Sequence, residues 1–232
     1  MLPMSDIAKQ TCVLIPAFRE EKRIAAVVAG ALKHCPSVAV IDDGSDDCTA
    51  CEAQKAGATV IRHARNMGKG MALHTGAQYA RQNGYQWIIT MDADGQHDPD
   101  DIPRFLTKAE ETGCPAIIGN RMGAAGNMPL VRRLTNRFMS WLLSREMGIH
   151  VPDTQVGFRM YRTDIIPEEP PISPRFAAES EILLRLSEKI THIESVPIKV
   201  IYRDEKSKIR PLRDTVRFFS MLMRYRRERR VA

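Results

Sequence analysis

Apolar and polar positions along the chain fall into two alternating periods. Short continuous apolar runs, read as buried strands, occur at Thr11–Ile15, Val38–Ile41, Thr59–Ile61, Gln86–Met91 and Ala116–Ile118. Between them lie segments with apolar residues at helical spacing. Glu20–His34 carries Ile24, Val27, Val28, Ala31 and Leu32 on one stripe. A second helix ends at Ala56 before Gly57, and a third spans Lys69–Gln82 before the turn residues Asn83-Gly84. A fourth runs to Thr112 from Asp98-Pro99, which have the chemistry of an N-cap and a first helical position. Pro16 is expected to close the first strand, since proline cannot donate to a ladder. Strands alternating with helices of this length predict crossover units and a mostly parallel sheet. Continuous apolar strands fit burial on both faces.

The second half is less regular. Leu130–Met147 reads as a long amphipathic helix, Gln155–Tyr161 as a strand, Arg175–Lys189 as a helix, His192–Tyr202 as a strand and Pro211–Arg226 as a last helix. There is no internal repeat, low-complexity tract or flexible linker. The expectation is one α/β domain over residues 1–202, with 203–232 as a basic, amphipathic C-terminal extension.

Composition narrows the class. A chain of 232 residues with 44% apolar content can bury a sizeable core, which excludes a disulfide mini-protein or a disordered chain. The net charge of +6 suggests a nucleic-acid binder, but its distribution does not. The segment 203–232 holds 11 basic and 4 acidic residues, while residues 1–202 are close to neutral. The opening MLPMSDIAKQ has neither a basic n-region nor an apolar h-region, so it does not read as a signal peptide. No run approaches the length of a membrane span. Five scattered cysteines fit a reducing compartment, and a cytoplasmic location is expected, peripheral on the inner face of a membrane if the tail binds lipid. Cys48 and Cys51 lack the second pair that a zinc site needs and read as one turn of an ordinary helix.

In open parallel sheets, ligands bind beyond the carboxyl ends of the strands. The second strand ends in Asp42-Asp43-Gly44-Ser45 and the fourth in Asp92-Ala93-Asp94-Gly95-Gln96-His97-Asp98. Alternation lets Asp92 and Asp94 project to the same side, where two carboxylates repel and a hard divalent cation relieves the repulsion. Oxygen ligands suit Mg2+ or Mn2+, with phosphate oxygens completing the shell. Gln96 offers a further neutral oxygen. The bland alternative is a polar turn and helix cap, which Asp98 does resemble. His97 reads as packing beside the loop, and His34, His63, His74, His150 and His192 show no ligand spacing.

Six motifs in order carry a resemblance: Ile15-Pro16-Ala17-Phe18-Arg19-Glu20; Val40-Ile41-Asp42-Asp43-Gly44-Ser45-Asp46-Asp47; Asn66-Met67-Gly68-Lys69-Gly70; Met91-Asp92-Ala93-Asp94-Gly95-Gln96-His97; Gly119-Asn120-Arg121; and Asp153-Thr154-Gln155-Val156-Gly157-Phe158-Arg159. Together they resemble family 2 glycosyltransferases of the GT-A fold, and within them the dolichol-phosphate mannose synthase-like group. The likeness covers residues 11–160 and continues more weakly to 209. It implies a Rossmann-like, mostly parallel sheet flanked by helices, with a nucleotide-sugar half at about 11–119 and an acceptor half at about 120–202. It further implies inverting transfer of a sugar from a nucleotide-diphosphate donor. Pro16, Ala17 and Glu20 would line the nucleoside pocket, and Asp42 and Asp43 would face the base. Lys69 would meet a phosphate, although a surface lysine at a helix start is an equal reading. Asp92, Asp94 and Gln96 would hold the metal.

On the acceptor side, Arg121 and the pair Arg132-Arg133 flank a loop, Gly123–Pro129. Arginine forks match phosphate oxygens, and in the resembling group arginines here grip a lipid phosphate. The alternative for the helical pair is a solvated face, as for Arg137. A phosphate acceptor is already ionised and needs no general base, whereas a sugar hydroxyl usually does. Members acting on hydroxyls carry an acidic pair near the position of Asp153, and this chain reads Pro152-Asp153-Thr154-Gln155 instead. Glu179 and Glu181 stand where the group has acids, and Lys206-Ser207-Lys208 resembles its element near the acceptor. In the tail, Leu212, Val216, Phe219, Leu222 and Met223 recur at helical spacing among arginines. That stripe suits either packing on the body or an anionic bilayer.

The reading is therefore a metal-dependent transferase whose partners are a nucleotide-diphosphate sugar and a polyprenyl phosphate. Transfer to a glycan or small-molecule hydroxyl, a nucleotidyltransferase, and a non-catalytic basic nucleic-acid module are the competing classes. The donor's base and sugar and the oligomeric state are not legible in the sequence.

Overall fold

A computed structural model describes residues 5–122, 130–173, 176–199, 201 and 211–231, with the backbone alone at 132, 176, 211–216 and 229–231. A short helix α1 (Asp6–Lys9), capped by the Ser5 hydroxyl, leads into β1 (Thr11–Ala17). There follow α2 (Ile24–Leu32), β2 (Ser37–Asp42), α3 (Thr49–Lys55), β3 (Thr59–Arg62), α4 (Lys69–Gln82), β4 (Trp87–Thr90), α5 (Ile102–Thr112) and β5 (Ala116–Asn120). The second half adds α6 (Leu130–Met147), β6 (Arg159–Arg162), α7 (Phe176–Leu186), β7 (Glu194–Pro197) and α8 (Pro211–Val231).

The strands form one seven-stranded sheet in the order β3-β2-β1-β4-β6-β5-β7. β1, β2, β3 and β4 run parallel, as do β5 and β7, and β6 lies antiparallel between β4 and β5. The mostly parallel α/β architecture expected from the alternating periods is present. The antiparallel β6 is not visible in the pattern, because direction depends on how a connection returns to the sheet and not on side-chain alternation.

β1 continues through Pro16 to Ala17 and does not stop where the proline was expected to end it. Pairing of β1 with β4 ends at Leu14–Thr90, after which the Met91 N–H donates to the Leu14 carbonyl. The missing Pro16 N–H would face the same side two residues on, where no ladder bond is owed, so the strand loses nothing. β2 keeps its buried pattern through Asp42, one residue past the apolar run. β6 is shorter than the predicted Gln155–Tyr161, and β7 shorter than His192–Tyr202.

The core of β1, β2, β4 and β5 is buried on both faces, with Val13, Leu14, Ile15, Val40, Ile41, Ile89, Ile117 and Ile118 all inaccessible. α8 packs on α7 through Phe218, Met221, Leu222 and Tyr225. Arg224 reaches Ser173 and Glu181, the Tyr225 hydroxyl donates to the Leu184 carbonyl (3.3 Å), and Arg226 pairs with Glu146 of α6. Of the tail stripe, Leu222 is therefore core, Phe219 and Met223 are exposed, and the side chains of Leu212 and Val216 lie outside the described residues. Among the described residues no helix is long and apolar enough to cross a membrane.

Candidate active site

The carboxyl ends of β1, β2 and β4 lie side by side. Ala17 pairs with Asp42, and Leu14 with Thr90. The chain builds outward from β1 to β2 and β3, then returns through α4 to place β4 on the other side of β1. That reversal opens a crevice at the carboxyl edge. Pro16 is half-buried there and Ala17 is buried.

Asp42 ends β2 with its carboxylate fully buried. One oxygen accepts the Ser45 N–H (3.0 Å). The other lies 3.1 Å from Arg62 Nε without forming a hydrogen bond. A buried carboxylate oxygen with an open lone pair is costly unless a donor arrives, such as the N–H of a base. Asp43 differs. Its Oδ1 accepts from the Met67 N–H and meets His63 Nδ1 (both 2.8 Å), and its Oδ2 accepts from the Gly68 N–H (2.7 Å). His63 Nε2 in turn meets the Thr75 hydroxyl (3.0 Å). Asp43 thus ties the Asn66–Gly70 loop to the end of β2, and both its oxygens are engaged in that task. Glu20 is buried, pairs with Arg23 (2.9 Å), and its N–H donates to the Thr49 hydroxyl (2.8 Å), so it anchors the loop after β1 to α3.

Gly44 follows Asp42 and Asp43 at φ 73°. A Cβ there would lie 2.5 Å from the Arg65 carbonyl carbon and 2.8 Å from the Asn66 nitrogen. Gly84 has nearly the same φ, 74°, with nothing within 4 Å of its notional Cβ. The pair separates strain from collision. Gly84→Ala is expected to cost about 1–2 kcal/mol in urea unfolding, from the left-handed conformation alone. Gly44→Ala is expected to cost about 2 kcal/mol more, because backbone and not a side chain must move. Equal losses for the two variants would show that the Arg65–Asn66 backbone is not held against Gly44.

Beyond β4, Asp92 and Asp94 both lie at the crevice. Lys69, the first residue of α4, sets its ammonium against Asp92 (2.5 Å) and against Glu179 of α7. Burial alone would pull Lys69 down, but the two carboxylates outweigh it and hold it above its ordinary value. Burial raises Asp92, and Lys69 foremost, with His97 and Arg121, more than reverses this, so the Asp92 carboxyl sits below the usual range. Asp94 has no such cation. Burial first, and then the Asp92 charge, push it up. One Asp94 oxygen accepts the Gln96 N–H (2.9 Å), and the Gln96 carbonyl accepts from Ile201 (2.9 Å). His97 accepts the Asp92 N–H at Nδ1 (3.2 Å), stacks on Phe158 (5.2 Å between centroids), and is driven down to about 4 by burial. It is a neutral packing residue, as its sequence context suggested.

Among the described residues no three His, Cys, Asp or Glu side chains cluster for a metal. Two carboxylates do fit Mg2+ or Mn2+, which use one or two acids and take the rest from phosphate and water. The Asp94 charge, only partly relieved by the Gln96 N–H and the more distant Lys69, is the observation that favours a cation here.

The acceptor-side arginines part company. Arg121 is buried and forks onto Asp153 (2.7 and 2.9 Å), which is itself fully buried. Arg133 is exposed on the first turn of α6, while the Arg132 side chain, the Gly123–Pro129 loop and Lys206-Ser207-Lys208 lie outside the described residues. Arg159, from the G-F-R element, is buried and donates to the carbonyls of Val156 (2.6 Å), Thr154 (2.8 Å) and Glu179 (3.0 Å). It stitches the Thr154–Val156 turn to α7, which brings Glu179 to Lys69.

Residues 12–168 match the family model described as Glycosyl transferase family 2. The chain is a family 2 glycosyltransferase. Among its relatives is a UDP-N-acetylglucosamine–dolichyl-phosphate N-acetylglucosaminyltransferase from Methanococcus voltae, 30% identical over 83% of this chain and 86% of that one. The polyprenol monophosphomannose synthase of Mycolicibacterium smegmatis is 28% identical over 68% of this chain and 63% of its own. In fold, the transferase is similar to glucosyl-3-phosphoglycerate synthase from Mycobacterium tuberculosis, solved with Mg2+ and uridine diphosphate. That likeness has a TM-score of 0.70 at 21% identity and covers 95% of this chain and 83% of that one. The shared architecture is the GT-A fold.

Three residues of this glycosyltransferase's site were not singled out by sequence reasoning. Glu179 was noted without a role, and only packing shows it opposite Lys69. His63 carried no signal at all, since its link to Asp43 spans two loops. Gly157 stood in a motif without a reason. A Cβ there would lie 2.8 Å from Asp92 Oδ1 and 3.0 Å from the Lys69 ammonium, so only glycine leaves room for that pair.

Proposed function

We propose that this transferase moves a sugar from a nucleotide-diphosphate donor to a polyprenyl phosphate, with inversion and with Mg2+ or Mn2+. The observation that carries the acceptor class is the engagement of Asp153. It is buried and bound by both arms of Arg121, so it is withheld from service as a general base. A hydroxyl acceptor calls for such a base, while an ionised phosphate oxygen is already a nucleophile. The relatives named for dolichyl and polyprenol phosphates support the same class.

In this reading Asp42 offers to the base the oxygen that accepts no hydrogen bond, and the Asn66–Gly70 loop, braced by Asp43, lies beside the donor. Asp92, Asp94 and Gln96 hold the cation, for which the Mg2+ in the similar solved structure is a precedent. The cation supplies charge neutralisation for the diphosphate leaving group. Lys69 carries its positive charge to the same place and keeps Asp92 ionised. The acceptor phosphate oxygen forms the bond to the anomeric carbon as the nucleoside diphosphate departs from the opposite face. Arg132 and Arg133 are the acceptor-phosphate arginines of this proposal. Arg121 acts as a positioning residue that fixes Asp153.

The test is incubation with polyprenyl phosphate, Mn2+ and a panel of labelled nucleotide sugars. Label entering the lipid phase, with release of a nucleoside diphosphate, is expected for one donor. Label in a water-soluble product alone would move the acceptor to a hydroxyl compound, and release of pyrophosphate would indicate a nucleotidyltransferase.

A further inference from the structure

α6 has two apolar faces. One faces the body through Met139, Leu143 and Met147, all buried. The other faces outward: Leu130 is 68% exposed, Val131 75%, Leu134 57%, Phe138 51% and Trp141 55%. At 100° per residue these five fall within one sector, opposite the buried three. An exposed apolar patch of this kind on a soluble surface marks a contact site.

The charges around the patch say what meets it. Arg133 and Arg137 are exposed along one flank. Arg145 lies over the Trp141 ring, 5.8 Å from its centroid. The single acid of the helix, Glu146, is engaged by Arg226 of α8. The outward face is therefore aromatic and aliphatic, with arginines on one flank and beside Trp141, and the helix's one acid, on the other flank, is taken up by Arg226. An isologous pairing of two copies would set arginine against arginine, which disfavours a dimer through this face. An anionic bilayer satisfies both parts, since apolar and aromatic side chains enter the acyl boundary while arginines reach the headgroup phosphates.

The geometry points to α6 as a membrane-docking helix that inserts the Leu130–Trp141 face into an anionic lipid surface. This moves the membrane contact from α8, whose Phe218, Met221, Leu222 and Tyr225 are packed on the body, to α6. It goes beyond the proposed reaction and does not depend on it. If both hold, α6, which begins shortly after Arg121, would bring the acceptor side to the surface where a lipid phosphate is presented.

The chain has two tryptophans, and Trp87 is buried in β4, so a Trp87→Phe variant reports Trp141 alone. This protein, without nucleotide or polyprenyl phosphate, is mixed with phosphatidylcholine–phosphatidylglycerol vesicles that carry a spin-label quencher in the acyl chains. Trp141 emission is expected to shift to the blue and to be quenched, with weaker effects on pure phosphatidylcholine. In cosedimentation beside the full wild-type chain, Leu134→Ser/Phe138→Ser is expected to weaken vesicle binding about tenfold with its melting temperature little changed, because both side chains are more than half exposed. Unquenched Trp141, or undiminished binding by the double variant, would overturn the proposal. So would a concentration-dependent dimer that the double variant abolishes without any vesicle binding by the wild type. Because no sugar nucleotide is present, failure here leaves the transfer reaction to its own assay.

Discussion

Asp94→Asn is expected to lower kcat/KM for sugar transfer about a thousandfold while leaving the fold at least as stable. The carboxylate sits in a half-buried crevice beside Asp92, and it lacks the cation that Asp92 has in Lys69. Its carboxyl is raised, first by burial and then by the Asp92 charge. A raised acid contributes stability below the ordinary carboxylate range and loses it as pH rises through the folded-state value. At neutral pH, without metal, an ionised Asp94 therefore costs stability, and the neutral amide removes that cost. Catalysis moves the other way. Removing one preorganised electrostatic contact to a developing charge costs about 100–1000-fold, and a missing cation ligand belongs at the upper end. Thermal unfolding separates the two effects. Mn2+ with a nucleoside diphosphate should raise the Tm of the wild type and not of the variant, since only a ligand that binds the folded state shifts it. A variant that keeps both its activity and its metal-dependent shift would remove Asp94 from the cation site.

Lys69→Met is expected to destabilise the protein by about 2–4 kcal/mol, the penalty of leaving the partly buried Asp92 charge without its main partner. Asp92 and Glu179 both meet the Lys69 ammonium, and the two acids approach from the loop after β4 and from α7. The pH dependence identifies the cause. In the wild type, Asp92 is held below the ordinary range against the pull of burial, by Lys69 foremost. Its contribution is present above the unfolded-state pKa and is lost as pH falls through the folded-state value, about 2. In the variant the sign reverses. Asp92, without its main cation, is now disfavoured by burial, so acidification protonates it and restores part of the loss, while Glu179 keeps its pairing with Arg159. Urea unfolding at neutral and mildly acidic pH should show the variant's deficit shrinking as pH falls. A deficit that stays constant with pH would mean that Lys69 contributes through packing and not through charge. Asp92→Asn added to Lys69→Met should recover part of the stability at neutral pH, because the carboxylate left without its main cation is then gone.

The two variants probe opposite arrangements of the same chemistry. Lys69 satisfies Asp92 within the chain, while Asp94 accepts the Gln96 N–H and feels Lys69 only more weakly. An acid left partly unrelieved at the carboxyl edge of a parallel sheet is where an external cation has most to offer.

Much of this was legible in the residues. The continuous apolar runs placed β1 to β5; β1, β2, β4 and β5 are buried on both faces and have no polar positions to spare, whereas β3 is an edge strand and only partly covered. The acids at the ends of β2 and β4 located the crevice, because a parallel sheet sends its loops to that edge. Packing alone decided the rest. Asp42 and Asp43 are adjacent and identical in sequence, yet one keeps an open oxygen while the other is saturated by His63, Met67 and Gly68. Arg121 has the chemistry of a phosphate grip, but Asp153 arrives from 32 residues away to hold it. The stripes of α6 and α8 look alike as sequence. The one on α8 turns its apolar side to α7, and α6 leaves a second apolar side facing outward. Period and composition are local properties and determine which elements form. The partner of a carboxylate, or the surface that covers a helix face, is set by contacts between segments far apart in the chain, and those exist only once the sheet has brought them together.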